Sequence, residues 1–219
     1  MRETATDIEV QSYRIIARLI RDFLSRLSRE MQYVIIRVVH ATGDPSICGY
    51  ISFSENFIEA GINALRERRP VVTDVKMVTA GISSRAQKAG ADVYTVVDHA
   101  PHRYEKETPR LRGALRRLLE TRPEIRDAVF VIGCSPLVLS ELLDLAAQGY
   151  VDPQVVIACP PGFVNASEVK ERLRGSGLPY FTVRGTRGGS TVAVSVFNSL
   201  VDILTERYKV IMRLVYEEI

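Results

Sequence analysis

The sequence predicts an α/β protein of three layers, in which helices cover both faces of a mostly parallel, doubly wound sheet of about five strands. Three observations lead to this prediction. Short, β-branched apolar runs alternate with helical segments through the last two thirds of the chain. Those runs lack the apolar-polar alternation of a strand with one wet face, which indicates strands buried on both faces. The first third instead has apolar residues at the three- and four-residue spacing of helices.

The helical N-terminal segment is predicted to contain three helices. Residues 8–27 form the first, with apolar positions recurring every three or four residues. Ser28 caps a second helix, and Gly43 ends it. Ser54 is predicted to cap a third helix, which stops before Pro70.

The strands and their connecting helices follow. One helix is predicted to begin at Thr108 and Pro109, a cap residue followed by proline at the first helical position. Another begins near Pro136 and stops at Gly149, and a long one begins at Ser190. The predicted strands are Val71–Thr73, Val93–Val97, Ala128–Ile132, Val155–Ala158 and Tyr180–Val183.

Composition limits the classes of function. Hydrophobic residues make up 46% and charged residues 25% of the 219 positions, and this length favours one sizeable core. We therefore predict a single domain over residues 1–219, in which residues 203–219 form an extended helical tail. The net charge of +3, without a basic stripe, disfavours a nucleic-acid partner. Three unpaired cysteines, no signal peptide and no apolar run of membrane-spanning length predict a cytoplasmic protein without a membrane partner.

Ligands of open parallel sheets bind beyond the carboxyl ends of the strands. The most specific of these ends is Arg184–Ser190, where Gly188 and Gly189 are predicted to leave backbone N–H groups free for an anion. The helix that begins at Ser190 adds its positive dipole end, and Arg184 and Arg187 add full charges. Carboxylate binding is the favoured interpretation, and a tight helix-entry turn with solvated arginines is the alternative.

His40 is the candidate for catalysis. It lies three residues after Arg37 on the predicted 28–42 helix, so the two side chains project from neighbouring positions. In the last turn, the helix dipole favours a protonated imidazole, which can act as a general acid. The alternative is a purely structural histidine.

Other nucleophiles and a metal site are disfavoured. Cys134 and Cys159 stand at predicted strand ends, but no base accompanies either of them, so both are predicted to be core thiols. Asp74 and Asp98 lack the clustered His, Cys and carboxylate spacing of a metal site. We therefore expect neither a metal nor another cofactor.

Six motifs in order give the chain a resemblance to the precorrin-8X methylmutases, the precorrin isomerases that include the cobalt-precorrin-8 methylmutases. The similarity extends over about residues 12–202. The motifs are Ser12-Tyr13-x-Ile15-Ile16, Arg37-Val38-Val39-His40-Ala41-Thr42-Gly43, Thr73-Asp74-Val75-Lys76-Met77-Val78-x-Ala80-Gly81-Ile82, Val131-Ile132-Gly133-x-x-Pro136, Pro161-Gly162-Phe163-Val164-Asn165-Ala166-x-Glu168-x-Lys170 and Val183-Arg184-Gly185-x-Arg187-Gly188-Gly189-Ser190.

The resemblance implies a methyl shift from C-11 to C-12 of a tetrapyrrole, without a nucleotide or flavin. It assigns proton transfer to a ring nitrogen to His40, and substrate binding to Ser12 and Arg37. It also implies a homodimer with its site near the interface. A corrinoid has many carboxylates, which suits Arg184 and Arg187.

The chain departs from the family pattern at two places. The family usually has Gly-Asn-Ala-Pro at the position of residues 133–136, and often has Pro-Gly-Asn where this chain has residues 88–92. These departures concern contacts to the substrate rather than His40.

Two other functions stay open as alternatives to the methylmutase. They are a non-catalytic corrinoid-binding carrier and a nucleotide-dependent α/β enzyme that uses the glycine loop.

Overall fold

The computed structural model describes residues 5–100, 111 and 113–217 and has the predicted α/β class. Its sheet has six strands in the order β1-β6-β5-β4-β2-β3, and all five predicted strands are among them. The sixth, which the sequence analysis missed, has three residues and pairs antiparallel at the edge; every other pairing is parallel. The strands are β1 Ile51–Phe53, β2 Val71–Thr73, β3 Val93–Thr95, β4 Val129–Ile132, β5 Val155–Ala158 and β6 Tyr180–Val183.

The sheet is doubly wound about β2. The chain adds β3 on one side of β2 and then returns to add β4 on the other side, so the loops after β2 and β4 diverge at the carboxyl edge. Such a switch point is where open α/β sheets bind ligands. Here Asp74 lies across it: its buried carboxylate accepts hydrogen bonds from the backbone N–H groups of Val75, Gly133, Cys134 and Ser135.

Helices cover both faces of the sheet, as predicted. On one face lie α4, α5 and α9, with α1, α3 and α10 packed outside them; on the other face lie α6, α7 and α8. Strand residues alternate between the two cores, so Val129 and Val131 face one side while Phe130 and Ile132 face the other. The helices are α1 Ala5–Leu19, α2 Arg21–Leu24, α3 Arg29–Thr42, α4 Phe57–Arg66, α5 Lys76–Ala89, α6 Ala114–Thr121, α7 Pro136–Ala147, α8 Ala166–Arg174, α9 Ser190–Leu204 and α10 Arg207–Tyr216.

Helix ends confirm some of the predicted caps and correct one. The Ser28 hydroxyl accepts from Met31 N at 3.2 Å, and α3 ends at Gly43 in the left-handed conformation, as predicted. Ser54 does not cap α4: its hydroxyl accepts from Tyr180 N at 2.9 Å, so the edge strand uses the group instead. The predicted helix start at 108–109 lies outside the described residues.

Two predicted continuous helices are interrupted. The predicted 8–27 helix breaks at Ile20, and the short α2 then brings Leu24 into the core. The C-terminal tail is helical, as predicted, but it does not extend as one continuous helix. Glu206 adopts a positive φ of 59°, which ends α9, and α10 folds back so that the Arg14 guanidinium donates to Leu214 O at 2.9 Å. Burying the apolar face of α10 favours the turn over a helix that extends into solvent.

The long helix α9 packs closely against its neighbours because glycines face it. An added Cβ at Gly81 of α5 would lie 2.6 Å from Val194, and one at Gly61 of α4 would lie 2.7 Å from Leu200. The close approach leaves α9 in contact with α3 on its outer side. This contact positions the side chains of the candidate active site.

Candidate active site

The structure brings Ser12 and His40 together from two outer helices. Ser12 Oγ of α1 lies 2.9 Å from His40 Nδ1 of α3, although the two residues are 28 positions apart in sequence. The His40 side chain is exposed and Ser12 is half-buried. One nitrogen of the imidazole is therefore fixed by the protein, and the exposed ring remains accessible to a ligand.

Two tyrosines support the imidazole from below. The Tyr13 and His40 rings meet edge to face with centroids 5.3 Å apart, and the Tyr13 and Tyr33 rings meet in the same way at 6.4 Å. The Tyr13 hydroxyl donates to Glu9 Oε1 at 2.7 Å. Burial raises the pKa of Tyr13 far above its usual value, so it stays a neutral packing surface for His40.

Arg37 lies in a cluster of charges one turn from His40. Its guanidinium donates to Tyr33 Oη at 3.0 Å and forms an ion pair with Asp202 of α9. Arg85 of α5 forms an ion pair with the other oxygen of the same carboxylate. Arg37 was predicted from the sequence, whereas Asp202 and Arg85 were not. One sequence feature could have indicated Asp202: it is an acid within an apolar stretch of α9. A charge buried in such a helix requires a partner.

The second group of predicted residues lies at the carboxyl edge of the sheet. Arg184 donates to Gly49 O at 2.9 Å. Arg187 donates to Asp44 Oδ2 at 2.7 Å and to Ser46 Oγ at 3.1 Å. Asp44 follows the end of α3, so the ion pair between Arg187 and Asp44 links the 184–190 loop to the helix that contains His40.

The glycine loop is held by the neighbouring strand end. Gly189 N donates to Cys159 O at 2.7 Å, so the prediction that its N–H is free for an anion is wrong. Gly188 has a φ of 141°, and a Cβ there would lie 2.2 Å from the same carbonyl oxygen. Position 188 therefore requires glycine, because its backbone lies too close to that of Cys159 for a Cβ to fit. The assignment of Gly188, Gly189 and Ser190 to substrate binding stays a prediction.

A buried lysine holds the same loop, and the sequence analysis gave it no role. Lys170 of α8 has no exposed surface, and its ammonium donates to Arg187 O at 2.8 Å. Burial lowers the pKa of this amine. Its position in the Pro161–Lys170 motif was the signal that could have identified it.

The cysteines and acids that were considered as alternatives show no catalytic arrangement. Cys159 is a core thiol as predicted, and burial raises its pKa to about 12. Cys134 is exposed, so the prediction of a core thiol is wrong there, because the loop that Asp74 binds holds it at the surface. Among the described residues, no group of three or more His, Cys, Asp or Glu side chains could hold a metal ion. No helix in the described ranges is long and apolar enough to cross a membrane.

Comparisons with known proteins identify one family. The family model for precorrin-8X methylmutase matches residues 7–203. A cobalt-precorrin-8 methylmutase of Methanocaldococcus jannaschii is 34% identical over 187 residues, covering 85% of this chain and 86% of that protein. A precorrin-8X methylmutase of Pseudomonas aeruginosa is 32% identical, covering 81% and 86%. The solved structure of the precorrin-8X methylmutase from Thermus thermophilus aligns with a TM-score of 0.81 at 27% identity, covering 91% and 96%.

Proposed function

The chain belongs to the precorrin-8X methylmutase family, a family of isomerases, and on that premise we propose that it moves a methyl group from C-11 to C-12 of precorrin-8X or cobalt-precorrin-8. The product is hydrogenobyrinate or, with cobalt, cobyrinate. The observation that supports the proposal most directly is the 2.9 Å contact between Ser12 and His40. It joins two residues that the family resemblance assigns to one site.

His40 is the proposed general acid and base. A protonated imidazole has a hydrogen on both ring nitrogens. With Nδ1–H donating to Ser12 Oγ, Nε2–H of the exposed ring is left to donate to a ring nitrogen of the substrate.

The proton makes the methyl shift possible and is then recovered. Protonation of the substrate nitrogen makes the conjugated ring electron-poor. The bond from the methyl carbon to C-11 breaks as the bond to C-12 forms, and the π electrons of the ring rearrange to balance the change. The proton returns to His40, so substrate and product contain the same atoms and the step needs no redox cofactor or nucleotide.

The other predicted residues bind the substrate in this proposal. Arg184 and Arg187 attract side-chain carboxylates of the macrocycle at the edge of the sheet, where Gly188, Gly189 and Ser190 line its binding place. Ser12 and Arg37 contact it beside His40. Charged hydrogen bonds of this kind are stronger than neutral ones, which suits a ligand with many acidic groups.

We also propose a cytoplasmic homodimer with the site near its interface. Three apolar side chains of α1 are largely exposed: Ile8 at 56%, Ile15 at 59% and Leu19 at 65%. They share a face of the helix with Ser12, at spacings of three, four and seven residues. A second copy that covered this face would enclose the Ser12–His40 pair.

Replacing the histidine tests the reaction directly. His40→Ala is expected to keep the fold and to bind the pigment, because the side chain is exposed, but to lose about 10²–10⁴-fold in turnover. Isomerisation of precorrin-8X or its cobalt form, followed by absorbance, measures the effect. Undiminished turnover in this variant would remove the assigned role.

The same assay separates an enzyme from a corrinoid-binding carrier. A carrier would return the pigment bound but chemically unchanged from the wild-type protein, whereas the enzyme returns the isomer. Ser12→Ala is the matched control for local geometry: it removes one hydrogen bond to the imidazole and is expected to lower turnover less than His40→Ala.

A further inference from the structure

Two arginines share one buried carboxylate beside the proposed active site. Asp202 has 1% of its side chain exposed and forms ion pairs with Arg37 through one oxygen and Arg85 through the other. The three residues come from α3, α5 and α9, so they meet only in the folded chain. The carboxylate compensates one of the two positive charges and leaves the second without a counter-charge.

The surroundings do not remove this excess. Glu9 of α1 and Arg207 of α10 both interact electrostatically with this group, and the tyrosines between them are neutral. Arg37, Arg85 and Arg207 supply three positive charges, while Asp202 and Glu9 supply two negative charges. The net charge of the cluster is therefore +1.

Both guanidinium groups can still bind an incoming anion. The Arg37 side chain is 14% exposed and the Arg85 side chain is 20% exposed, so each is partly accessible to solvent, whereas Asp202 is buried. A guanidinium has five N–H groups, more than the ion pair of either residue with Asp202, whose contact lies at Nη1, can use. Planar N–H pairs of this kind recognise carboxylates in a bidentate manner.

We propose that Arg85, together with Arg37, forms a carboxylate-binding subsite beside His40, and that Asp202 is the positioning residue that holds both guanidinium groups. This proposal rests on the proposed function, because the ligand is a carboxylate of the tetrapyrrole. Burial lowers the pKa of Arg85, and the charges of Arg37 and Arg207 lower it further. A bound carboxylate would relieve that repulsion.

The test compares an acidic corrinoid with a neutral one. Wild-type protein and Arg85→Gln are titrated by absorbance with cobyrinate and with its amidated derivative, whose side-chain carboxylates are carboxamides. Loss of one charged hydrogen-bonding group is expected to weaken cobyrinate binding about tenfold in Arg85→Gln and to leave binding of the amide unchanged. Arg172→Gln is the control, because Arg172 forms an ion pair with Asp144 on the opposite face of the sheet.

The possible outcomes separate the two proposals. Unchanged affinity of Arg85→Gln for cobyrinate, or an equal loss for acid and amide, overturns the subsite. If the wild-type protein binds neither pigment, the proposed function itself is contradicted. If Arg85→Gln does not fold, Arg85→Lys decides: it keeps the charge but not the planar N–H pair, so cobyrinate binding should weaken roughly threefold, and full affinity would overturn the subsite.

Discussion

The two halves of the candidate site are held by different kinds of interaction. At the edge of the sheet, the 184–190 loop is held through its backbone, by Gly189 N on Cys159 O and by the Lys170 ammonium on Arg187 O. Around His40, the contacts are between side chains of separate helices, such as Ser12 with His40. The first region therefore depends on glycine and backbone geometry, and the second depends on the identity of each side chain.

The largest expected effect concerns the charged group in the helical region. Asp202→Asn removes the carboxylate that Arg37 and Arg85 share while both remain half-buried, and the free energy of unfolding should fall by about 3 kcal/mol. Urea denaturation followed by circular dichroism measures it. The control is Asp144→Asn, which breaks the exposed pair with Arg172 and should cost less than about 1 kcal/mol. Equal losses in the two variants would show that the Asp202 ion pairs contribute no special stability.

A smaller effect is expected from the backbone of the loop. Gly188→Ala would place a Cβ 2.2 Å from Cys159 O, and we expect a loss of about 2 kcal/mol in the free energy of unfolding. Gly189→Ala is the matched control, because its φ of 125° is also unfavourable for alanine but no atom lies within 4 Å of the added Cβ. If Gly189→Ala is as destabilising as Gly188→Ala, the close approach to Cys159 is not the cause.

The smallest expected effect is the pH dependence contributed by Lys170. Burial lowers its folded-state pKa below the usual lysine value of 10.5, so between the two pKa values the unfolded chain binds the extra proton and stability increases with pH. The stability of the wild-type protein relative to Lys170→Met should therefore rise as pH increases toward the unfolded pKa. Denaturation of both proteins at neutral and alkaline pH measures the difference, and a constant difference would contradict the burial effect.

Local patterns predicted the sheet-edge region better than the helical one. The runs of apolar residues placed all five parallel strands, and the glycine and arginine motif after Val183 placed the loop at their carboxyl edge. The short edge strand Ile51–Phe53 was missed because three residues give too little pattern. The engagement of Gly189 N with Cys159 O was also missed, since it depends on the distance between two loops.

In the helical region, sequence identified single residues but not their partners. Ser12, Arg37 and His40 were selected from motifs, and the family model later matched the segment that contains them. Asp202 and Arg85 were not selected, because each lies on a helix whose local pattern contains no sign of the other. Tyr13 belongs to the Ser12–Ile16 motif, yet its edge-to-face contact with His40 follows only from the packing of α1 against α3.

By itself the sequence determined the α/β class, the parallel strands, several helix caps and the family, because these depend on periodicity, turn residues and motif order along the chain. The tertiary structure decided which side chains meet. Ser12 reaches His40, and Arg85 reaches Asp202, because close helix packing around α9 brings distant segments together. The physical reason is that charge pairing and contact distance are properties of neighbours in space, whereas local propensity is a property of neighbours in sequence.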